Sequence, residues 1–286
     1  MKRLPLTLIA TAALAAGAAS TPAAAGADTL LAPAPGAVNL AAGGGYLAWF
    51  APQEDTGWKL VVRNPDGTVV EPDVPFFPGP TQLSIGSDIT GSFDRALVVA
   101  YTRSDGDIHT LDLRTGRETR IRELSTRTYT EYAPQIELGV YAFVRRGGKR
   151  PGIYVARRGG EKVVRVTRDT PSDLAFNGSR VAYPKGNTIV VRRISGRGPT
   201  VVYRAGSRPS SPTMTRYRVA WLERATGTVR QTARFGGSGK SATRVVETAG
   251  RRIPSTQSIV MDRSQSANTF LDGQGVKQAL PPLFQP

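Results

Sequence analysis

From about residue 36 onward the chain alternates apolar and polar positions with a period of two, as in Leu60-Val61-Val62, Ile108 to Leu113, Ile153-Tyr154-Val155, Thr188 to Val191 and Thr200 to Tyr203. A strand sends successive side chains to opposite faces, so this rhythm predicts β-structure. No window of a dozen residues carries an apolar stripe at the 3.6-residue spacing a helix needs. Turn chemistry separates the strands: Asn64-Pro65-Asp66-Gly67, Thr115-Gly116, Gly159-Gly160, Ser195-Gly196, Gly236-Gly237-Ser238-Gly239 and Asp272-Gly273. Glycine, Asn and Asp tolerate the positive φ that tight hairpins require.

One short pattern recurs along the strands. Leu47-Ala48-Trp49, Val99-Ala100-Tyr101, Tyr141-Ala142-Phe143, Val181-Ala182-Tyr183 and Val219-Ala220-Trp221 are spaced by 52, 42, 40 and 38 residues. Short strands repeating every forty residues or so predict a β-propeller, each repeat being one four-stranded blade. The repeats divide as 36–75, 76–124, 125–168, 169–205 and 206–248. A sixth unit, 249–286, lacks the tripeptide and offers three strands, and Asp28 to Ala32 can supply the fourth. The expectation is an all-β, six-bladed ring over residues 28–286, its last blade closed by an N-terminal strand so that no sheet edge stays open at the join.

The repeat from Ala133 to Thr167 resembles that of TolB-type (WD-like) β-propellers. The matching residues are Pro134, Gly139, Tyr141-Ala142-Phe143, Ile153-Tyr154-Val155, Gly159-Gly160 and Val166-Thr167. Residues 94–117 and 178–196 follow the pattern more loosely, and the Ser-Pro-Asp-Gly turn common in that family is absent. The resemblance implies a propeller, export and protein–protein binding. Function does not transfer from fold, because one fold hosts many sites.

The first 27 residues read as an export leader. Lys2 and Arg3 precede an apolar run from Leu4 to Ala16, and small residues with Ala-x-Ala steps follow. No later segment approaches the ~20 apolar residues of a membrane helix. An extracytoplasmic protein, periplasmic, wall-associated or secreted, is therefore expected, with no spanning segment once the leader is removed. The absence of cysteine excludes disulfides and thiolate metal sites. Charge is uneven: residues 28–140 hold 9 Lys+Arg against 15 Asp+Glu, and residues 141–286 hold 27 against 7. The second half thus has the chemistry to attract an anionic partner.

Catalytic groups are sparse. His109 is the lone histidine and falls on a third strand, away from the channel where propeller active sites open. Gly236 to Ser241 superficially resembles a phosphate-binding loop, but it lacks the first glycine and a following helix. Inner strands are expected near 38–40, 81–85, 134–137, 172–175, 211–214 and 256–259. Among these, Asn39, Glu137 and Asp173 are the oxygen donors for an alternative, lactonase-like metal hydrolase, fewer than the six to eight ligands a hard cation takes. The residues best suited to binding are basic and lie at hairpins: Arg145, Arg146, Lys149, Arg150, Arg157, Arg158, Arg192 and Arg193. Phe76 and Phe77, in the loop between the first two units, add an apolar candidate. Few aromatics interleave with the basic tips, which argues against nucleic acid. The expected function is a monomeric, non-catalytic propeller without cofactor, binding an envelope protein or an anionic envelope polymer.

Overall fold

The computed structural model describes residues 28–54, 57–89, 95–160, 162–197, 200–216, 218–232, 245–252, 257–261 and 268–278. The leader and the Gly236–Ser241 tip lie outside them. Six four-stranded antiparallel sheets form a ring. After β1 (Thr29–Pro33), blade 1 comprises β2 (Val38–Gly43), β3 (Tyr46–Gln53), β4 (Gly57–Arg63) and β5 (Val69–Val70). Blade 2 holds β6 (Ser84–Ile89), β7 (Arg95–Thr102), β8 (Ile108–Asp112) and β9 (Glu118–Arg120). Blade 3 holds β10 (Thr130–Glu137), β11 (Val140–Arg146), β12 (Gly152–Arg157) and β13 (Val163–Thr167). Blade 4 follows with β14 (Ala175–Phe176), β15 (Arg180–Lys185), β16 (Thr188–Arg193) and β17 (Val201–Arg204). Blade 5 has β18 (Pro209–Met214), β19 (Val219–Glu223), β20 (Thr228–Thr232) and β21 (Val245–Arg252), the last running past the expected end of its unit. Blade 6 has β22 (Ser258–Met261), β23 (Asn268–Leu271) and β24 (Gly275–Gln278), with β1 paired on β24 as the outermost strand.

The Ala-aromatic step falls on the second strand of blades 1 to 5. Each of its five alanines is 0% exposed, because this strand is covered by neighbouring blades on both faces. The apolar core accordingly divides into six clusters, one at each seam. Phe50, Leu60 and Tyr101 lie between blades 1 and 2, for example, and Trp49, Leu271 and Val276 between blades 6 and 1. Among the described residues no cluster spans the channel.

Polar staples cross the seams. The backbone N–H groups of Ile136, Met261 and Leu40 donate to the hydroxyls of Ser84, Thr213 and Ser258 at 3.2, 3.1 and 3.3 Å. In each case a hydroxyl on one inner strand satisfies a buried donor on the next. The Ser258–Leu40 contact closes the ring.

The inner strands of blades 1, 3 and 5 share a further device. In each, two residues oppose one on the second strand: Asn39-Leu40 against Trp49, Ala133-Pro134 against Phe143, Ser211-Pro212 against Trp221. The first residue of each bulge has positive φ: 58° at Asn39, 51° at Ala133 and 46° at Ser211. A bulge bends its strand and re-aims the side chains beside it. Blades 2 and 4 pair without a bulge and carry Tyr in place of Trp or Phe.

Candidate functional site

The channel is lined by the inner strands, through Asn39, Gln135, Ser211 and Ser258, and by Gln82 and Asp173 just ahead of two of them, around a cavity of only ≈70 Å³. A side-chain clamp narrows it. Gln82 donates through Nε2 to the Leu174 carbonyl at 2.6 Å and accepts from the Leu174 N–H at 2.9 Å, joining blade 2 to the approach of blade 4. Asn39 donates to the Thr81 carbonyl at 2.9 Å, and Asp173 accepts from the Ser211 N–H at 3.4 Å. Both candidates are therefore engaged in holding neighbouring blades together.

Asn39 and Asp173 share the channel, whereas Glu137 does not line it. Glu137 ends β10, two residues beyond Gln135, and its Cγ lies 3.2 Å from where a side chain on Gly178 would begin. It thus packs on the first turn of blade 4. Among the described residues no three His, Asp or Glu side chains are grouped to hold a metal ion.

His109 lies on β8, in the outer half of blade 2 as expected, stacked beside Tyr101 and between Asp105 at 3.3 Å and Glu118 at 3.5 Å. Glu118 also accepts from the Tyr101 hydroxyl and Arg103 Nε, each at 2.7 Å. Burial pushes the Glu118 carboxyl up, but the hydrogen bonds from Arg103 and Tyr101 outweigh it and hold its pKa below the ordinary value. The same arrangement recurs in blade 4. Asp169 accepts from the Tyr183 hydroxyl at 2.7 Å and from Lys185 at 2.8 Å, and its pKa is lowered against the upward pull of burial.

These sets follow a rule. Two residues after the aromatic of the repeat stands a charged side chain with a partner: Arg103, Arg145, Lys185 and Glu223. In blade 5 the sign is reversed, with Glu223 accepting from Arg230 Nε and the Gly206 N–H at 2.7 Å each. Sequence reasoning did not find these partners, which sit 7 to 17 residues away on other strands or connections. The available signal was the charge at a fixed offset inside an otherwise apolar strand.

The basic candidates separate. Arg145 is core, not surface: at 8% exposure it donates to the fully buried Glu131 at 3.0 Å and to the Leu124 carbonyl at 2.9 Å. Its guanidinium also lies 4.8 to 5.5 Å from the rings of Tyr154, Phe143 and Tyr129. Burial raises the Glu131 pKa despite the Arg145 charge. Arg146 is exposed and stacks 3.9 Å from the Tyr132 ring centre, while Lys149 and Arg150 stand at the exposed β11–β12 tip.

At the opposite end of the same blade Arg157 is exposed, and the half-buried Arg158 pairs with Asp88 of blade 2, whose side chain is fully buried. Arg193 is exposed and directly opposite Arg180 across β15–β16, with Arg192 half-buried beside it. The apolar loop divides. Phe76 is 53% exposed, but Phe77 is 1% exposed and belongs to the core. Phe77 meets Phe50 at 4.7 Å and Tyr101 at 5.3 Å, and its backbone bridges Trp58, so it plugs the first seam.

Among the described residues no helix is long and apolar enough to cross a membrane. No family model matches the chain, and no curated protein matches it in sequence. Solved structures do match in shape. One from a nidogen/laminin complex aligns with 75% of this chain and 81% of its own at 14% identity and a TM-score of 0.54. Regucalcin from Agrobacterium tumefaciens, described as a calcium-binding protein, aligns over 89% and 94% at 14% identity and a TM-score of 0.54. TolB from Acinetobacter baumannii aligns over 69% of this chain and 51% of its own, at 14% identity and a TM-score of 0.51. Likeness at this level of identity carries the fold and nothing of the roles, so the chain is a six-bladed β-propeller with TolB among its structural neighbours.

Proposed function

We propose that the protein is an exported, non-catalytic propeller that serves as a binding or scaffold module in the cell envelope. The observation that carries this is the state of the channel. Its ≈70 Å³ is far below the 300–1,000 Å³ usual for small-molecule sites, and Asp173, the one lining carboxylate among the described residues, is engaged by the Ser211 backbone. What the molecule presents outward instead is a set of hairpins on a closed ring, a geometry suited to holding a macromolecule. The leader pattern at residues 1–27 supports export, to the periplasm, to the wall or as a secreted protein.

The test combines location with partnership. In intact source cells the tagged protein should be accessible to added protease once the outer layer is opened, and substituting Lys2→Glu with Arg3→Glu should retain it inside. Crosslinking in the envelope fraction should then return a defined protein partner that survives about 0.5 M salt, where charge screening is strong. The competing reading, a metal-dependent hydrolase, draws on Asn39 and Asp173 sharing the channel. Calcium-dependent lactone hydrolysis by the pure protein, abolished by Asp173→Ala, would overturn the scaffold reading.

A further inference from the structure

The stretch from Leu174 to Leu222 contains no Asp or Glu among 49 residues, yet carries nine Lys and Arg. It covers blade 4 and the two inner strands of blade 5. In a four-stranded meander the first-to-second and third-to-fourth turns emerge at the same end. Contacts place these ends side by side around the ring. The Gly139 N–H donates to the Ser87 carbonyl at 2.8 Å, and Asn177 donates to the Thr215 carbonyl at 3.0 Å. The turns of blades 2 to 5 therefore share one face.

On that face arginines replace one another from blade to blade. Arg157 is exposed at the β12–β13 turn, and Arg193 and Arg197 are exposed at the β16–β17 turn. Arg180 faces Arg193 directly across the strand pair, and burial together with the Arg193 charge lowers the Arg180 pKa. At blade 2 the array meets a cavity of ≈330 Å³ whose charged lining is the Asp88–Arg158 pair, Arg114, Arg117 and one further carboxylate, Asp112.

We infer that this turn face, from Arg114 through Arg157 to Arg193 and Arg197, is a docking surface for a linear polyanion. The inference rests on the binding-module reading and assigns that module one partner chemistry. The charges are spread along an arc rather than gathered in one pocket, so the ligand must be extended and multivalent to meet them together. Guanidinium forks grip phosphate or carboxylate oxygens bidentately. Among the described residues this face exposes no aromatic side chain for base stacking, which favours a polymer read by charge over a nucleic acid.

The test uses the mature chain with long-chain inorganic polyphosphate and poly-L-glutamate. Three controls accompany them: single-stranded DNA, vesicles of phosphatidylglycerol with phosphatidylcholine, and a variant lacking charge on the other face. Both polymers should bind, with an affinity falling linearly in log–log plots against salt. The variant Arg157→Gln/Arg193→Gln/Arg197→Gln should weaken binding at least about tenfold and reduce the salt slope by roughly two. Arg127→Gln/Lys149→Gln/Arg150→Gln removes the same charge from the opposite face and should leave binding within about twofold of the parent. Equal losses in both variants would show that binding follows net charge and overturn the inference. It also fails if neither polymer binds, if vesicles bind where the polymers do not, or if DNA binds more tightly than either. Because every component is pure, failure here leaves the envelope-crosslinking result, and with it the scaffold reading, untouched.

Discussion

Gly275→Ala should unfasten the ring at its one non-covalent join. Gly275 opens β24 at φ 155° and pairs with Pro33 of the closing strand. A Cβ placed there would lie 2.3 Å from the Ala32 carbonyl oxygen and 2.9 Å from the Ala34 nitrogen, where an ordinary contact needs 3.4 Å or more. The obstruction is backbone, so β1 must move away by about 1 Å. Two hydrogen bonds at this end are then lost or stretched, at about 1 kcal/mol each. Ala32 and Ala34, 2% and 5% exposed, leave the blade 6–blade 1 seam at about 0.8 kcal/mol per methyl. The sum is about 3–4 kcal/mol, which for a domain of this size lowers Tm by roughly 10 °C.

Differential scanning calorimetry reads the melting, and amide hydrogen exchange at residues 29–33 reads the join. Gly152→Ala is the control. Its Cβ would meet the Thr167 carbonyl at 2.1 Å between β12 and β13 within blade 3, away from the ring's join. It should also lower Tm, yet leave exchange at 29–33 as in the parent. A Gly275→Ala protein melting within about 2 °C of the parent, with β1 still protected, would refute the closure argument.

Other perturbations probe the seams and the charge sets. Ser258→Ala strands the Leu40 N–H in a buried seam and should cost about 1–3 kcal/mol in chemical denaturation, with Ser84→Ala costing a similar amount through Ile136. Arg145→Met leaves the Glu131 carboxylate buried without its partner and should cost about 3–5 kcal/mol, whereas Arg145→Met/Glu131→Leu should recover most of it. Leu138, 47% exposed at φ 50° in a two-residue turn, should give about 1 kcal/mol of added stability when changed to Asn, read as a higher urea midpoint. Glu118, Asp169 and Asp272 have folded pKa values below their unfolded ones, so the stability they add is present above about pH 4 and is lost as pH falls through the folded values. Glu131, with its pKa raised, acts in the opposite sense and offsets part of the loss. Tm should fall between about pH 5 and pH 3, less steeply in Glu118→Gln, and a flat profile would contradict the assignment.

The ring, its blade count and its closing strand were legible because each leaves a local trace. Ala48, Ala100 and their equivalents recur because the second strand is covered on both faces, where a small residue beside a large one fills the seam. Turn glycines then mark the ends. The site was far less legible. Gln82 and Leu174 are 92 residues apart, and nothing near either announces that an amide will mimic a strand partner across the channel. Arg145 reads as a hairpin cation because the ring faces that enclose it come from Tyr129, Phe143 and Tyr154 on different segments. Glu137 reads as channel-facing because period two continues formally from Gln135, yet the strand ends there and leans on the Gly178 turn.

The repeat also hides a longer period. Blades 1, 3 and 5 combine a bulge with Trp49, Phe143 and Trp221, whereas blades 2 and 4 combine regular pairing with Tyr101 and Tyr183. The tyrosines carry a requirement of their own, which Phe270 in the regularly paired blade 6 does not share. A tyrosine hydroxyl at this position is buried and needs an acceptor, which Glu118 and Asp169 provide. Trp49, Phe143 and Trp221 anchor no such carboxylate bond, and the two-for-one bulge opposite them bends the inner strand instead. The bulge sends Asn39 to the channel in blade 1 and Ser211 in blade 5, while the regular blades reach the channel through residues ahead of their inner strands, Gln82 and Asp173. The polar lining that narrows the channel is thus drawn from both kinds of blade in turn. Three bulged and three regular blades would give the ring an approximate threefold plan, and blade 6, unbulged between Ser258 and Met261, takes the regular place in it.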